Sequence, residues 1–275
     1  MLRSLRNMHH CKRRALLAVC VTVLVGGMVR AGTIESFEAY SPGSSVLGQG
    51  TWGGTMSAND TATVINTDAA PGQGNNSLEY IDNTQHDTSY LTWGVSDTPF
   101  DGSTISWYFK AVSGYTSMYI QPQVDFSGNP SSNNTAYIVG FGDNGYLIEQ
   151  GDNGASFLND PEGNRIAYTV GDWYRIDIAN HDNSGSDSLD LTITDATTNS
   201  LIFNQVGMTG YSVGGRDTLD AVQFVTSSDY GQTSHLDGIA LNEVVAPEPT
   251  SLGAGLAALG GLLLVSRRRA IDANI

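Results

Sequence analysis

Hydrolytic or lyase chemistry needs two titratable side chains on one side of a reacting bond, and this chain offers few such pairs. Glu35 and Glu38 stand three residues apart, as do Glu79 and Asp82, in stretches of alternating character. On a strand that spacing sends the two carboxylates to opposite faces, so neither pair can act as nucleophile and acid. His86, His181 and His235 each sit in a polar, loop-like setting; an isolated histidine of that kind is more often solvated than catalytic. No Gly-x-Ser-x-Gly elbow, paired-histidine metal motif or phosphate-binding loop occurs. The oxygen-rich run Asp182-Asn183-Ser184-Gly185-Ser186-Asp187 does not complete an EF-hand loop. These residue types point away from catalysis and toward binding.

Sugar recognition needs a flat aromatic ring together with amide and carboxylate hydrogen-bond partners. Tyr108, Lys110, Tyr119, Gln121, Gln123, Asp125, Trp173 and Arg175 supply that set. Alternation places each of them on the outward side of a strand. Ile105, Trp107 and Phe109 face one way, with Tyr108 and Lys110 opposite. Met118, Ile120, Val124 and Phe126 oppose Tyr119, Gln121, Gln123 and Asp125. Tyr174, Ile176 and Ile178 oppose Trp173, Arg175 and Asp177. The eight residues make one glycan face only if their strands are neighbours.

The elements that must carry these side chains are short strands. Glycine is abundant at 32 residues, charged residues are only 15%, and β-branched and aromatic residues recur in brief runs. Strands are expected over 33–39, 62–66, 77–81, 104–112, 117–125, 136–141, 146–150, 165–170, 173–180, 188–194, 200–205, 219–226 and 236–244. The tetrapeptide Gly-Asp-Asn-Gly occurs at 142–145 and again at 151–154. Asn-Gly favours tight hairpin turns, so 138–157 reads as consecutive hairpins. About a dozen strands at this spacing make an all-β, two-sheet antiparallel sandwich.

Charge is distributed unevenly. Between residues 32 and 247 four basic residues, Lys110, Arg165, Arg175 and Arg216, face 26 of the 28 Asp/Glu, a balance near −22. Such a surface repels nucleic acid and anionic lipid and suits calcium, a neutral glycan or plain solubility. Both cysteines, Cys11 and Cys20, precede residue 32. A basic segment and a 15-residue apolar stretch, 15–29, lead to Val29-Arg30-Ala31, as in a secretory signal peptide cut between Ala31 and Gly32. The expected organisation is a signal helix over 1–31, a β-sandwich over 32–244 and a sorting segment over 245–275. Sec-dependent export would then leave a domain without thiol chemistry.

The last segment reads Pro247-Glu248-Pro249, an apolar helix over 251–265, then Arg267, Arg268 and Arg269. Fifteen helical residues span roughly 22 Å, short of a hydrocarbon core of about 30 Å. The arginines hold its far end in the cytoplasm, which allows transient anchoring in an inner membrane. This three-part arrangement resembles the PEP-CTERM sorting signal of Gram-negative bacteria. The resemblance implies recognition by an exosortase and delivery to the cell surface or extracellular matrix, often beside exopolysaccharide.

Residues 171–203, with Gly-x-Trp-Tyr-x-Ile, a polar loop and Leu-x-Leu-x-Ile, resemble the laminin-G-like or concanavalin A-like jelly roll. The opening Ile34-Glu35-Ser36-Phe37-Glu38 and closing Leu236-Asp237-Gly238-Ile239-Ala240-Leu241 match that fold's paired first and last strands. The resemblance implies a structural calcium held by oxygens, with Glu38 and Asp237 as its candidate ligands. The Glu-x-Asp-x-x-Glu strand of glycosidases with this fold is absent. Tyr119-Ile120-Gln121-Pro122-Gln123 lacks the histidine that the fold's lyases use. The sequence therefore reads as an exported, non-catalytic protein associating with exopolysaccharide or another glycan. A secreted polysaccharide-active enzyme and a purely structural surface protein stand as the alternatives.

Overall fold

The structure is a computed structural model that describes residues 33–83, 89–114, 117–124, 135–142, 144–151, 154–182, 187–210, 218–226 and 231–241. The signal segment, the Ala31/Gly32 cut, residues 247–249, the apolar stretch 251–265 and residues 267–269 lie outside these, as do His86 and Asp125.

The described chain is all-β. In order its strands are β1 (Thr33–Glu35), β2 (Trp52–Thr55), β3 (Thr61–Ile65), β4 (Ser77–Asp82), β5 (Ser89–Pro99), β6 (Thr104–Ala111), β7 (Met118–Val124) and β8 (Ile138–Phe141). They continue with β9 (Leu147–Gly151), β10 (Gly154–Phe157), β11 (Tyr174–Asp182), β12 (Asp187–Asp195), β13 (Ser200–Thr209), β14 (Thr218–Thr226) and β15 (Gln232–Leu241). Two antiparallel sheets result, a jelly-roll sandwich. Sheet A runs β13-β12-β11-β6-β15-β4-β3, with β1 also on β15, and sheet B runs β10-β9-β8-β7-β14-β5-β2. The first and last described strands pair as expected, Thr33 opposite Leu241 and Glu35 opposite Ile239. The repeated Gly-Asp-Asn-Gly stretches join β8 to β9 and β9 to β10, two successive hairpins.

Alternation decides which residues fill the space between the sheets. Ile105, Trp107 and Phe109 of β6, Ile176 and Ile178 of β11, and Leu189, Leu191 and Ile193 of β12 are buried in one core. They meet Met118, Ile120, Val222 and Phe224 of sheet B. Rings stack across the middle, Phe109 on Phe141 at 3.8 Å and Trp52 beside Trp93 at 6.4 Å. One polar link lies among them. The Tyr137 hydroxyl donates to Asn180 Oδ1 at 2.5 Å, and Asn180 donates to Ser103 Oγ at 2.7 Å, which satisfies a carboxamide that is fully buried.

The structure corrects several expected elements. Strand β1 stops at Glu35 rather than residue 39, because Phe37 adopts φ 59° and turns the chain. Residues 165–170 form no strand and make only isolated bridges, Tyr146 with Ala167 and Asn159 with Arg165. Strands β2 and β5 were not expected. In β5 Leu91, Trp93 and Val95 alternate with Thr92 and Gly94, the pattern of a half-buried strand, and only Gly94 reads against it.

Candidate functional site

The eight residues expected on one glycan face lie on two. Tyr108 and Lys110 belong to β6, Arg175 belongs to β11, and Trp173 precedes β11, all on sheet A. Tyr119, Gln121 and Gln123 belong to β7 of sheet B. Alternation sets all seven away from the core between the sheets, yet Gln123, Trp173 and Tyr108 are buried. Their strands are in different sheets, however, so the two groups are on opposite faces of the sandwich.

The outer face of sheet A is covered by the chain itself. Segment 66–76, between β3 and β4, crosses it and is tied down by Asp68. The Asp68 carboxylate accepts from Lys110 Nζ at 2.8 Å and from Trp173 Nε1 at 3.3 Å, and its Oδ2 meets His235 Nδ1 at 2.9 Å. Beneath it, His235 pairs across the sheet with both Lys110 and Glu79, which explains how these side chains converge. Burial pushes the Asp68 carboxyl up, but the bond from Lys110 and the charges of His235 and Lys110 outweigh it and hold it below the usual range. Trp173 packs on Tyr108 and Ala70 and is only 5% exposed. It is a wall of this clasp and presents no open ring to a sugar. His235, expected in a loop, is a buried residue of β15. Arg175 is held by Asp177 at 2.9 Å and lies over the Tyr108 ring.

The same segment covers the candidate calcium ligands. Asp237 is fully buried and accepts from Ala70 N at 2.9 Å and Gly238 N at 2.7 Å. Glu38 Oε1 accepts from Asn75 N and Asn76 N, each at 2.6 Å. Burial lifts the Asp237 carboxyl to about 7, and the charge of Glu38 pushes the same way. The charge of Glu38 acts on Asp237, but the partners of both carboxylates are backbone N–H groups, which lend no oxygen to a divalent cation. Among the described residues no group of three or more His, Cys, Asp or Glu converges. Any cation there would complete its shell from backbone carbonyls and solvent.

The outer face of sheet B carries a groove, although Gln123 and Gln223 on that face are fully buried and Val225 and Thr92 are buried as well. Register places its side chains in cross-strand rows. Gln121, Gln223, Thr92 and Gly53 make one row across β7, β14, β5 and β2. Tyr119, Val225, Tyr90 and Thr55 make the next. Over the β14, β5 and β2 part of these rows lies a groove of about 300 Å³, lined among others by Gly53, Tyr90, Thr92, Asp220 and Gln223. Gln223 is fully buried; its Nε2 donates to Thr92 Oγ1 at 3.2 Å, and its Oε1 has no partner. Whichever way that amide is turned, one end is left without a partner and closed off from solvent. Gln123 is also fully buried; it donates to Thr135 Oγ1 at 3.0 Å, and its Oε1 likewise lacks a partner. The alternation in 89–95 was the signal that could have marked Tyr90 and Thr92 beside Tyr119 and Gln121.

The remaining titratable side chains have structural duties. Glu35 accepts from Phe37 N and Tyr40 Oη at 2.9 Å and from Trp52 Nε1 at 3.1 Å, pinning the first turn onto the core. His181 faces Asp190 at 3.1 Å on the surface of the β11–β12 hairpin.

No family model matches the chain, and no curated protein matches it in sequence. Solved structures show where the fold recurs. A sialidase matches 79% of this chain at 7% identity with a TM-score of 0.52, the match covering 19% of the sialidase's own length. The cellulose-induced protein Cip1 matches 76% of this chain and 96% of its own at 14% identity, with a TM-score of 0.50. At such identities the likeness is one of fold alone, the jelly-roll sandwich.

Proposed function

We propose that this is an exported, non-catalytic protein that associates with exopolysaccharide or another glycan through the outer face of sheet B. The groove over β14, β5 and β2 carries this reading: Tyr90, Thr92, Asp220 and Gln223 line it, and Tyr119 and Gln121 continue the same cross-strand rows on β7. An aromatic ring beside amide, hydroxyl and carboxylate groups is the set that sugar recognition needs.

Export rests on the sequence. The Sec pathway would remove 1–31. An exosortase would read 247–249, the apolar helix and Arg267 to Arg269, and release the protein from a Gram-negative inner membrane to the surface or matrix. Replacing Pro247, Glu248 and Pro249 with alanine should leave the protein membrane-bound in fractionated cells; normal release would overturn that assignment.

Affinity electrophoresis of the purified protein against a panel of polysaccharides tests the glycan reading. Retardation supports it. A folded protein that migrates freely through every polysaccharide would leave a structural role. Release of reducing ends or of unsaturated uronates would show an enzyme instead.

A further inference from the structure

The arrangement of sheet B also bears on which glycans fit, an argument that rests on the glycan reading above. Tyr119 and Tyr90 occupy one cross-strand row, on β7 and β5, with Val225 of β14 between them. Both tyrosines are half-buried, while Val225 is buried and forms a low floor. Two interstrand spacings separate them, roughly 10 Å, about the length of two pyranose rings joined end to end. The adjacent row, Gln121, Gln223 and Thr92, runs parallel at the distance where ring hydroxyls would project.

Gly53 closes that second row, and a Cβ built there meets nothing within 4 Å. The groove is therefore open where it leaves the sheet over β2, and a polymer can pass through it. Among the described residues its lining includes one carboxylate, Asp220, and no Lys, Arg or His.

We infer that sheet B takes a neutral, linear polysaccharide that crosses the strands at right angles, with alternate sugars stacked on Tyr119 and Tyr90 and the intervening hydroxyls bonded by Gln121 and Thr92. An anionic polymer finds no counter-charge in the groove and is repelled by Asp220 and by the acidic surface around it. A terminal monosaccharide reaches only one tyrosine.

The test uses the purified protein in affinity electrophoresis against soluble neutral β-glucan, mannan and xylan and against alginate and polygalacturonate. The variants Tyr90→Ala, Tyr119→Ala and Gly53→Trp run beside it, each checked by thermal melting. Retardation is expected with a neutral polymer only. Each tyrosine variant should weaken it about 10-fold, and Gly53→Trp should abolish it by filling the groove at unchanged melting temperature. Oligosaccharides of the retained polymer should bind steeply better from two units to four. Retention by the acidic polymers alone, lost in Gly53→Trp, would overturn the neutral-chain inference and leave the glycan reading standing. Retention of a neutral polymer indifferent to all three variants would overturn the placement on these rows. No retention by any polymer would remove the glycan reading and this inference with it.

Discussion

Trp173 and Asp68 are 105 residues apart in the chain, and the Trp173 indole N–H donates to Asp68 Oδ1 at 3.3 Å. That bond, with those from Lys110 and His235, holds segment 66–76 on sheet A. Trp173→Ala should lower stability by about 3–5 kcal/mol, the range for truncating a buried aromatic, and leave polysaccharide retention unchanged. Asp68→Ala should cost about 1–3 kcal/mol. Denaturant melts read both values. A Trp173 variant that melts normally but loses retention would return the glycan face to sheet A.

Asp237 and Asp68 should respond to pH in opposite senses. The Asp237 carboxyl titrates near 7 in the fold against an ordinary value of 3.8. Its folded pKa is raised, so its contribution is fully present below about 4 and is lost as pH rises through about 7. Asp68 is lowered from 3.8, so its contribution is present above that value and is lost as pH falls below it. In chelator, the melting temperature should decline between pH 4 and pH 7.

Calcium should reverse that decline. A cation bound by ionised Asp237 and Glu38 stabilises the fold by mass action, and most at pH 8, where Asp237 gives up its proton most readily. Scanning calorimetry at pH 5 and pH 8, with calcium and with chelator, checks this. A melting temperature at pH 8 that ignores calcium would exclude the pair as ligands.

Two neighbouring glycines should differ sharply. Gly53 has open space where a Cβ would stand, whereas Gly54 has φ 135° and its Cβ would lie 2.1 Å from Tyr90 O. Gly53→Ala should be neutral in a thermal melt, and Gly54→Ala should cost about 2–3 kcal/mol.

The polar link through the core should be costly to break. Tyr137→Phe removes the hydroxyl donor to Asn180 Oδ1 at 2.5 Å, and the fully buried acceptor cannot turn to water. A loss of about 1–3 kcal/mol in urea melts is expected. An unchanged midpoint would mean that Asn180 finds another donor.

Much of the fold is legible in the residue pattern. A period of two marks the strands and their faces, and Ile105, Trp107 and Phe109 fall inside as that period requires. The twin Asn-Gly turns mark their hairpins for the same local reason. Neighbour relations are another matter. Tyr108 and Tyr119 stand 11 residues apart on consecutive strands, yet β6 and β7 belong to different sheets, and no local pattern records a crossover. The clasp was hidden too. Segment 66–76 reads as an ordinary polar loop, and only contacts such as Asp68 with His235, 167 residues away, show that it covers Trp173. The candidate face was half visible, through Tyr119 and Gln121 on β7. Its other half needed β14 and β5 to be set beside β7.

The segment laid over sheet A also bears on valency. It occupies the middle of that sheet, over β6, β15 and the start of β11, and leaves the proposed glycan face on sheet B. On that reading one copy holds one polymer, and tying polymers together would take two copies joined back to back.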